Sequence, residues 1–158
     1  MRLDRRALLI LPSLAALPIA GLAAMRYADA NGVVPHLNHH RGIVLRGYDP
    51  TAWFEEGQPV RGDARFAARH AGAAWHFRSA AARDRFMADP ASLSPAYGGF
   101  CAFGLARGYK VDIDPTAWRV HAGRLFLNYD RGVQRQWEAD IPRFVAEADG
   151  NWPRLSVA

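Results

Sequence analysis

The most reactive side chain in the sequence is its one cysteine, Cys101, within Tyr97-Gly98-Gly99-Phe100-Cys101-Ala102-Phe103-Gly104. Three glycines and three aromatics crowd this stretch, so its backbone can take positive φ and approach other groups closely. A thiolate opening a helix is stabilised by the helix N-terminus and is a soft metal ligand or a nucleophile. A closed multi-cysteine zinc or copper site within one chain is excluded by counting. What remains at Cys101 is a mixed site with His or carboxylate ligands, or a thiol buried as packing, since free cysteine is among the most buried residue types. A nucleophilic role needs a base within hydrogen-bond reach, and no histidine lies near Cys101 in sequence.

His36, His39 and His40 form H-x-x-H-H, candidates for chelating a divalent transition metal where the segment is helical or curls. The competing reading is a solvated arm. His70, His76 and His121 read as surface residues of strands. Asp112 and Asp114 share a face if extended and can hold a hard cation, although Asp114-Pro115 also reads as a turn or cap. No G-x-S-x-G, H-E-x-x-H, phosphate loop or dinucleotide fingerprint occurs in the chain. Nothing here requires an enzyme.

The elements that must position these residues follow from periodicity. Arg65–His70 and Ala73–Arg78 flank a two-residue turn at Ala71-Gly72, a hairpin register that sets Phe66 opposite Phe77 and Ala68 opposite Trp75. Ala117–His121 and Arg124–Asn128 flank Ala122-Gly123, setting Trp118 opposite Leu127 and Val120 opposite Leu125. Each hairpin then has one apolar face, and a one-residue slip would send it into water. Asp49-Pro50 predicts a short helix with Asp49 as N-cap, through Ala52, Trp53 and Phe54, closed by Gly57. Ser79 caps a helix that ends near Asp89, before Pro90. Val133, Trp137 and Ile141 make one apolar stripe, and a last helix starting at Pro142 carries Phe144, Val145 and Ala148 and stops at Gly150. The expected fold is α+β: a small antiparallel sheet from two hairpins packed by several short helices, as a single domain.

Composition agrees with one folded unit. The chain has 158 residues, half apolar and 22% charged, with formal charge +5. Nineteen of the 20 basic residues are Arg, scattered singly between acids and aromatics, so no nucleic-acid partner is expected. Residues 1–30 read as an export signal. Arg2, Arg5 and Arg6 precede the uncharged run Ala7 to Met25, and Ala28-Asp29-Ala30 offers a cleavage site. Arg5-Arg6 gives it a twin-arginine look. The protein is then periplasmic or secreted, or membrane-anchored if the signal stays. Residues 31–42 read as a flexible His-containing arm, 43–153 as the domain and 154–158 as a tail. The partners expected are a metal ion or another exported protein, with no membrane contact beyond the signal.

Several ordered segments resemble the exported, single-domain branch of YHS-domain proteins. They are Leu45-Arg46-Gly47-Tyr48-Asp49-Pro50, Gly62 to Phe77, Tyr97-Gly98-Gly99-Phe100-Cys101-Ala102, Gly108 through Asp112-Ile113-Asp114-Pro115, Leu125-Phe126-Leu127-Asn128-Tyr129, and Asp149-Gly150-Asn151-Trp152-Pro153. YHS domains are similar to cysteine-rich metal-sensing modules, so the resemblance implies a transition metal such as copper, here with Cys101 as its one soft ligand. It also implies that the shared segments converge on a pocket. The pocket candidates are Tyr48, Asp49, Tyr97, Gly98 and Gly99 from the first half. Lys110, Asp112, Asp114, Asn128 and Tyr129 come from the second, with Tyr109, Trp118 and Trp137 as further aromatic lining. Three functions stand side by side: a non-enzymatic binding module for a metal, a structural or protein-interaction domain with an inert buried cysteine, and a thiol redox protein.

Overall fold

The structure, a computed structural model, describes residues 34–158. The export signal read at residues 1–30 lies outside the described residues. Among those described, no helix is long and apolar enough to cross a membrane.

The α+β expectation holds, with the two hairpins in separate sheets. The first sheet has the order β1-β2-β4-β3, from β1 (His39–His40), β2 (Ile43–Val44), β3 (Asp63–His70) and β4 (Ala73–Phe77). Its β2–β4 junction is parallel, through Ile43 opposite Ala74. The second sheet pairs β5 (Asp114–His121) with β6 (Arg124–Asn128). Both Ala-Gly turns form as expected. Ala71 and Gly72 have φ of 51° and 88°, and Ala122 and Gly123 have 48° and 75°. Left-handed backbone at both central residues matches the twist of the flanking strands.

Ala68 faces Trp75, Trp118 faces Leu127 and Val120 faces Leu125, in the expected registers. Phe66 opposite Phe77 is not observed. The register shifts between Asp63 and Ala68, and Phe77 faces Asp63 instead. The Asp63 carboxylate accepts from the Arg65 backbone N–H at 2.8 Å and curls the chain there, a local turn that competes with regular pairing.

β6 corrects the one-apolar-face expectation. Leu125 and Leu127 enter a core with Trp53, Trp75, Phe77 and Phe86, whereas Phe126 enters a second core with Trp137 and Phe144. A strand buried on both faces reads as an unbroken apolar run, and Leu-Phe-Leu is one.

Among the described residues, six α-helices cover these sheets: α1 (Ala52–Glu55), α2 (Ala80–Ala88), α3 (Pro90–Leu93), α4 (Ala102–Ala106), α5 (Arg131–Glu138) and α6 (Ile141–Leu155). Ser79 caps α2 by accepting from Ala82, as its position predicts. Asp49 is not the N-cap of α1. Its fully buried carboxylate accepts from the Thr51 N–H and hydroxyl at 2.9 and 2.8 Å, and from the Arg78 N–H and guanidinium at 3.0 and 2.9 Å. Val133 and Trp137 lie on α5, but Asp140 caps a new helix before Ile141, so the stripe is split. α6 does not stop at Gly150. It runs through Pro153 to Leu155, because Leu155 is buried and Asn151 donates to the last carbonyls of α4, Leu105 and Ala106, at 2.9 and 3.2 Å. The tail expected from residue 154 therefore begins inside a helix.

The expected flexible arm is docked from Val34 onward. Val34, Leu37 and Asn38 are buried, and His39–His40 is a strand.

Candidate functional site

Cys101 is 1% exposed and caps α4. Its sulfur accepts from the Gly104 N–H at 3.4 Å, and its S–H donates to Asn128 Oδ1 at 3.7 Å. Burial pushes the thiol pKa up, and the nearby backbone N–H donors do not reverse that. The helix-stabilised thiolate anticipated from the glycine-aromatic segment is thus absent, because desolvation penalises the charged form more than one short helix repays it. Asn128 has its oxygen fixed by Cys101 and by the Phe103 N–H at 3.3 Å, while its Nδ2 has no partner.

The histidines do not assemble either. β1 places His39 and His40 on opposite faces, since successive strand residues alternate. The two ring nitrogens of His39 face backbone N–H groups of its own segment, Val34 at 3.0 Å and Gly42 at 3.2 Å. His36 is exposed. Among the described residues, no three His, Cys, Asp or Glu side chains come together as a metal would need. Asp112 and Asp114 also part company. Asp114 accepts from the Thr116 N–H at 2.8 Å, the turn reading of its Asp-Pro pair.

The proposed pocket around Cys101 does not form from the aromatic candidates. Tyr97 is buried with its hydroxyl donating to Asp149 at 2.9 Å, and burial pushes its pKa well above the usual phenol value. Trp137 fills the second core, and Tyr109 and Tyr129 are exposed. Lys110 donates to the Pro35 carbonyl at 3.0 Å, holding the docked arm.

Three of the segments named above, at Leu45, Gly98-Gly99 and Asp112, meet at Asn38 instead. Two left-handed turns meet there. Leu45, Arg46 and Gly47 have φ of 52°, 54° and 82°, and Tyr97, Gly98 and Gly99 have 56°, 60° and 84°. A Cβ on Gly98 would lie 1.8 Å from the His36 carbonyl oxygen, and one on Gly99 would lie 2.6 Å from Leu45 Cδ2. Gly98 thus lets its turn lie against the His36 backbone, and the positive φ at Gly98 and Gly99 favours glycine at both. Asn38 bonds both. Its N–H donates to Gly98 O at 2.8 Å, its carbonyl accepts from Leu45 at 3.0 Å, and Nδ2 donates to Gly99 O at 3.0 Å. Nδ2 also donates to Asp112 Oδ1 at 3.0 Å, and Asp112 Oδ2 pairs with Arg46. Burial alone would raise the Asp112 pKa, but hydrogen bonds from Arg46, Asn38 and Ile113 outweigh it and hold the carboxyl below its usual range.

Beside this junction opens a groove of about 660 Å³, lined by His40, Ile43, Arg46, Gly47, Arg61, Gly62, His76 and Asp112. Period two along β4 sends Trp75 and Phe77 into the core and His76 outward onto the groove floor. The Gly62 N–H donates to Gly47 O at 2.9 Å, and a Cβ on Gly62 would sit 2.4 Å from the His76 carbonyl carbon. Glycine there lets the 60–62 segment lie against β4 and carry Arg61 to the rim. The Arg61 guanidinium lies 4.3 Å from the centroid of the Tyr48 ring and donates to Arg46 O at 2.7 Å. No carboxylate among the described residues forms an ion pair with it.

Asn38 and Arg61 were not singled out by sequence. Asn38 looked like a spacer between histidines and Arg61 like one of many scattered arginines. The usable signal was Gly62, a glycine just before a strand, where close backbone approach is the reason for glycine.

Fold and groove together define a small α+β domain with a surface groove of mixed polar and apolar lining beside the junction of two left-handed turns. Searches against family models, curated proteins and solved structures find no match to the chain.

Proposed function

We propose that the protein is an exported, non-enzymatic binding module of the YHS type, whose ligand lies in the groove beside Asn38 while Cys101 serves packing. The observation that carries the reading is the meeting of three segments beside the groove: Asn38 Nδ2 bonds both Gly99 O and Asp112, and Asp112, which lines the groove, pairs with Arg46. Consecutive left-handed residues such as Leu45 and Arg46 cost roughly 1–2 kcal/mol each. Such strain persists where surroundings over-determine it, and it clusters at ligand clamps. A groove of this size lies within the roughly 300–1,000 Å³ typical of small-molecule sites. Export rests on the leader-like first thirty residues, and the YHS assignment on the ordered motifs.

Copper at Cys101 is not carried forward, since the thiol is sealed and is committed to Gly104 and Asn128. Two measurements on the full chain test the reading. A fragment collection screened by amide chemical shifts is expected to perturb Gly47, Gly62 and His76 together, and shifts clustered elsewhere would defeat the groove. Titration with Cu(I), Cu(II) and Zn(II) is expected to give the same binding for the natural chain and for Cys101→Ala. Binding lost with the sulfur would restore the metal site.

A further inference from the structure

The groove's charge pattern names a ligand class. Of the charged side chains lining it, Arg46 and Asp112 neutralise one another, and Asp112 accepts two further hydrogen bonds, from Asn38 at 3.0 Å and from the Ile113 N–H at 2.8 Å. That carboxylate therefore has little left to offer a cation. Arg61 is different. One of its nitrogens is engaged with the Arg46 carbonyl, its plane is steadied by Tyr48, and no carboxylate among the described residues pairs with it. A guanidinium held in place with unused N–H groups is preorganised for planar, two-point recognition of an oxyanion.

We propose that the groove binds a small organic monocarboxylate, with its head on Arg61 and its apolar body against Ile43 and the imidazoles of His40 and His76. The inference rests on reading the groove as the binding site. One unneutralised arginine matches one negative charge. A phosphate dianion would require a second fixed cation, and the other arginine of the groove is already matched by Asp112. Ile43 supplies the apolar wall that a bare inorganic anion does not use.

The test follows amide shifts of the full chain with benzoate, inorganic phosphate, benzamidine and benzyl alcohol as probes. Benzoate is expected to move Gly47, Gly62 and His76 saturably. Arg61→Gln is expected to weaken it about tenfold, the loss of one charge-assisted contact. Arg131→Gln, on α5 away from the groove, is expected to change nothing. Ile43→Glu keeps Arg61 but sets a competing carboxylate in the groove, and is expected to weaken benzoate as well, so the inference does not hang on a single variant. Unchanged benzoate affinity in Arg61→Gln overturns it, and so does binding of phosphate in preference to benzoate. Groove shifts with benzamidine or benzyl alcohol but not with benzoate would leave the binding module standing and remove the anion. No groove shift with any probe would remove both.

Discussion

The side-chain amide of Asn38 reaches the carboxylate of Asp112 at 3.0 Å across 74 residues of chain. This contact ties the N-terminal segment to the loop before β5, and the same nitrogen bonds Gly99. One buried amide thus holds three segments that have no sequence proximity.

Asn38→Ala is expected to destabilise the fold by about 2–3 kcal/mol, because it removes a charge-assisted hydrogen bond and leaves the Gly99 carbonyl without its donor. Asn38→Asp should cost more, since it sets a second carboxylate against Asp112. Urea unfolding of both variants checks this, and a loss under about 0.5 kcal/mol for the alanine variant would contradict the junction.

Asp112 adds a pH signature. Its carboxyl is held below its usual range in the folded chain, so its contribution is fully present above the unfolded pKa of about 4 and is lost as pH falls through the lower folded value. The stability gap between the natural chain and Asp112→Asn should be constant from neutral pH to about 5 and shrink below about 4. A gap that widens on acidification would reverse the sign of this account.

Arg78→Ala should be among the most damaging surface-reaching changes. It leaves Asp49, fully buried, with no cation, and breaking such a pair costs about 3–5 kcal/mol. Adding Asp49→Asn should recover part of that loss, because the unpaired charge is gone. Thermal melts of the single and double variants measure the coupling, and strictly additive losses would show that the pair does not act as a unit.

Cys101 should be inert in the folded protein. Alkylation near neutral pH is expected to be slow, becoming fast only after denaturation, since the sulfur is enclosed and its pKa is raised. Rapid native labelling would revive the thiol redox reading.

The hairpin turns carry removable strain. Ala71 and Ala122 both sit at positive φ, where asparagine is better tolerated than alanine. Ala71→Asn and Ala122→Asn are each expected to stabilise by about 0.5 kcal/mol, read as a small rise in Tm. A fall in both would mean that the turns are not of this type in solution.

Local structure was largely legible. Both Ala-Gly turns, three cross-strand pairs, the Ser79 cap and the end of α2 before Pro90 follow from neighbours within a few residues, and those neighbours are visible in sequence. The Phe66–Phe77 pair failed because the Asp63 carboxylate took a local backbone hydrogen bond that pattern counting ignores. α6 ran past Gly150 because Asn151 and Leu155 had partners on other elements. The site was less legible still. Cys101 drew attention as the rarest residue, yet rarity says nothing of solvent, and the fold sealed it. Asn38 and Arg61 are ordinary residue types whose importance is set by what lies opposite them.

Sequence alone determined the fold class and most strand and helix positions, because periodicity, turn residues and caps act over a few residues. Tertiary structure decided which side chains keep their chemistry. A thiol's availability depends on desolvation, an arginine's on whether a carboxylate reaches it, and an asparagine's on which carbonyls surround it. Those are distances between segments far apart in the chain, and they exist only once the two left-handed turns have met.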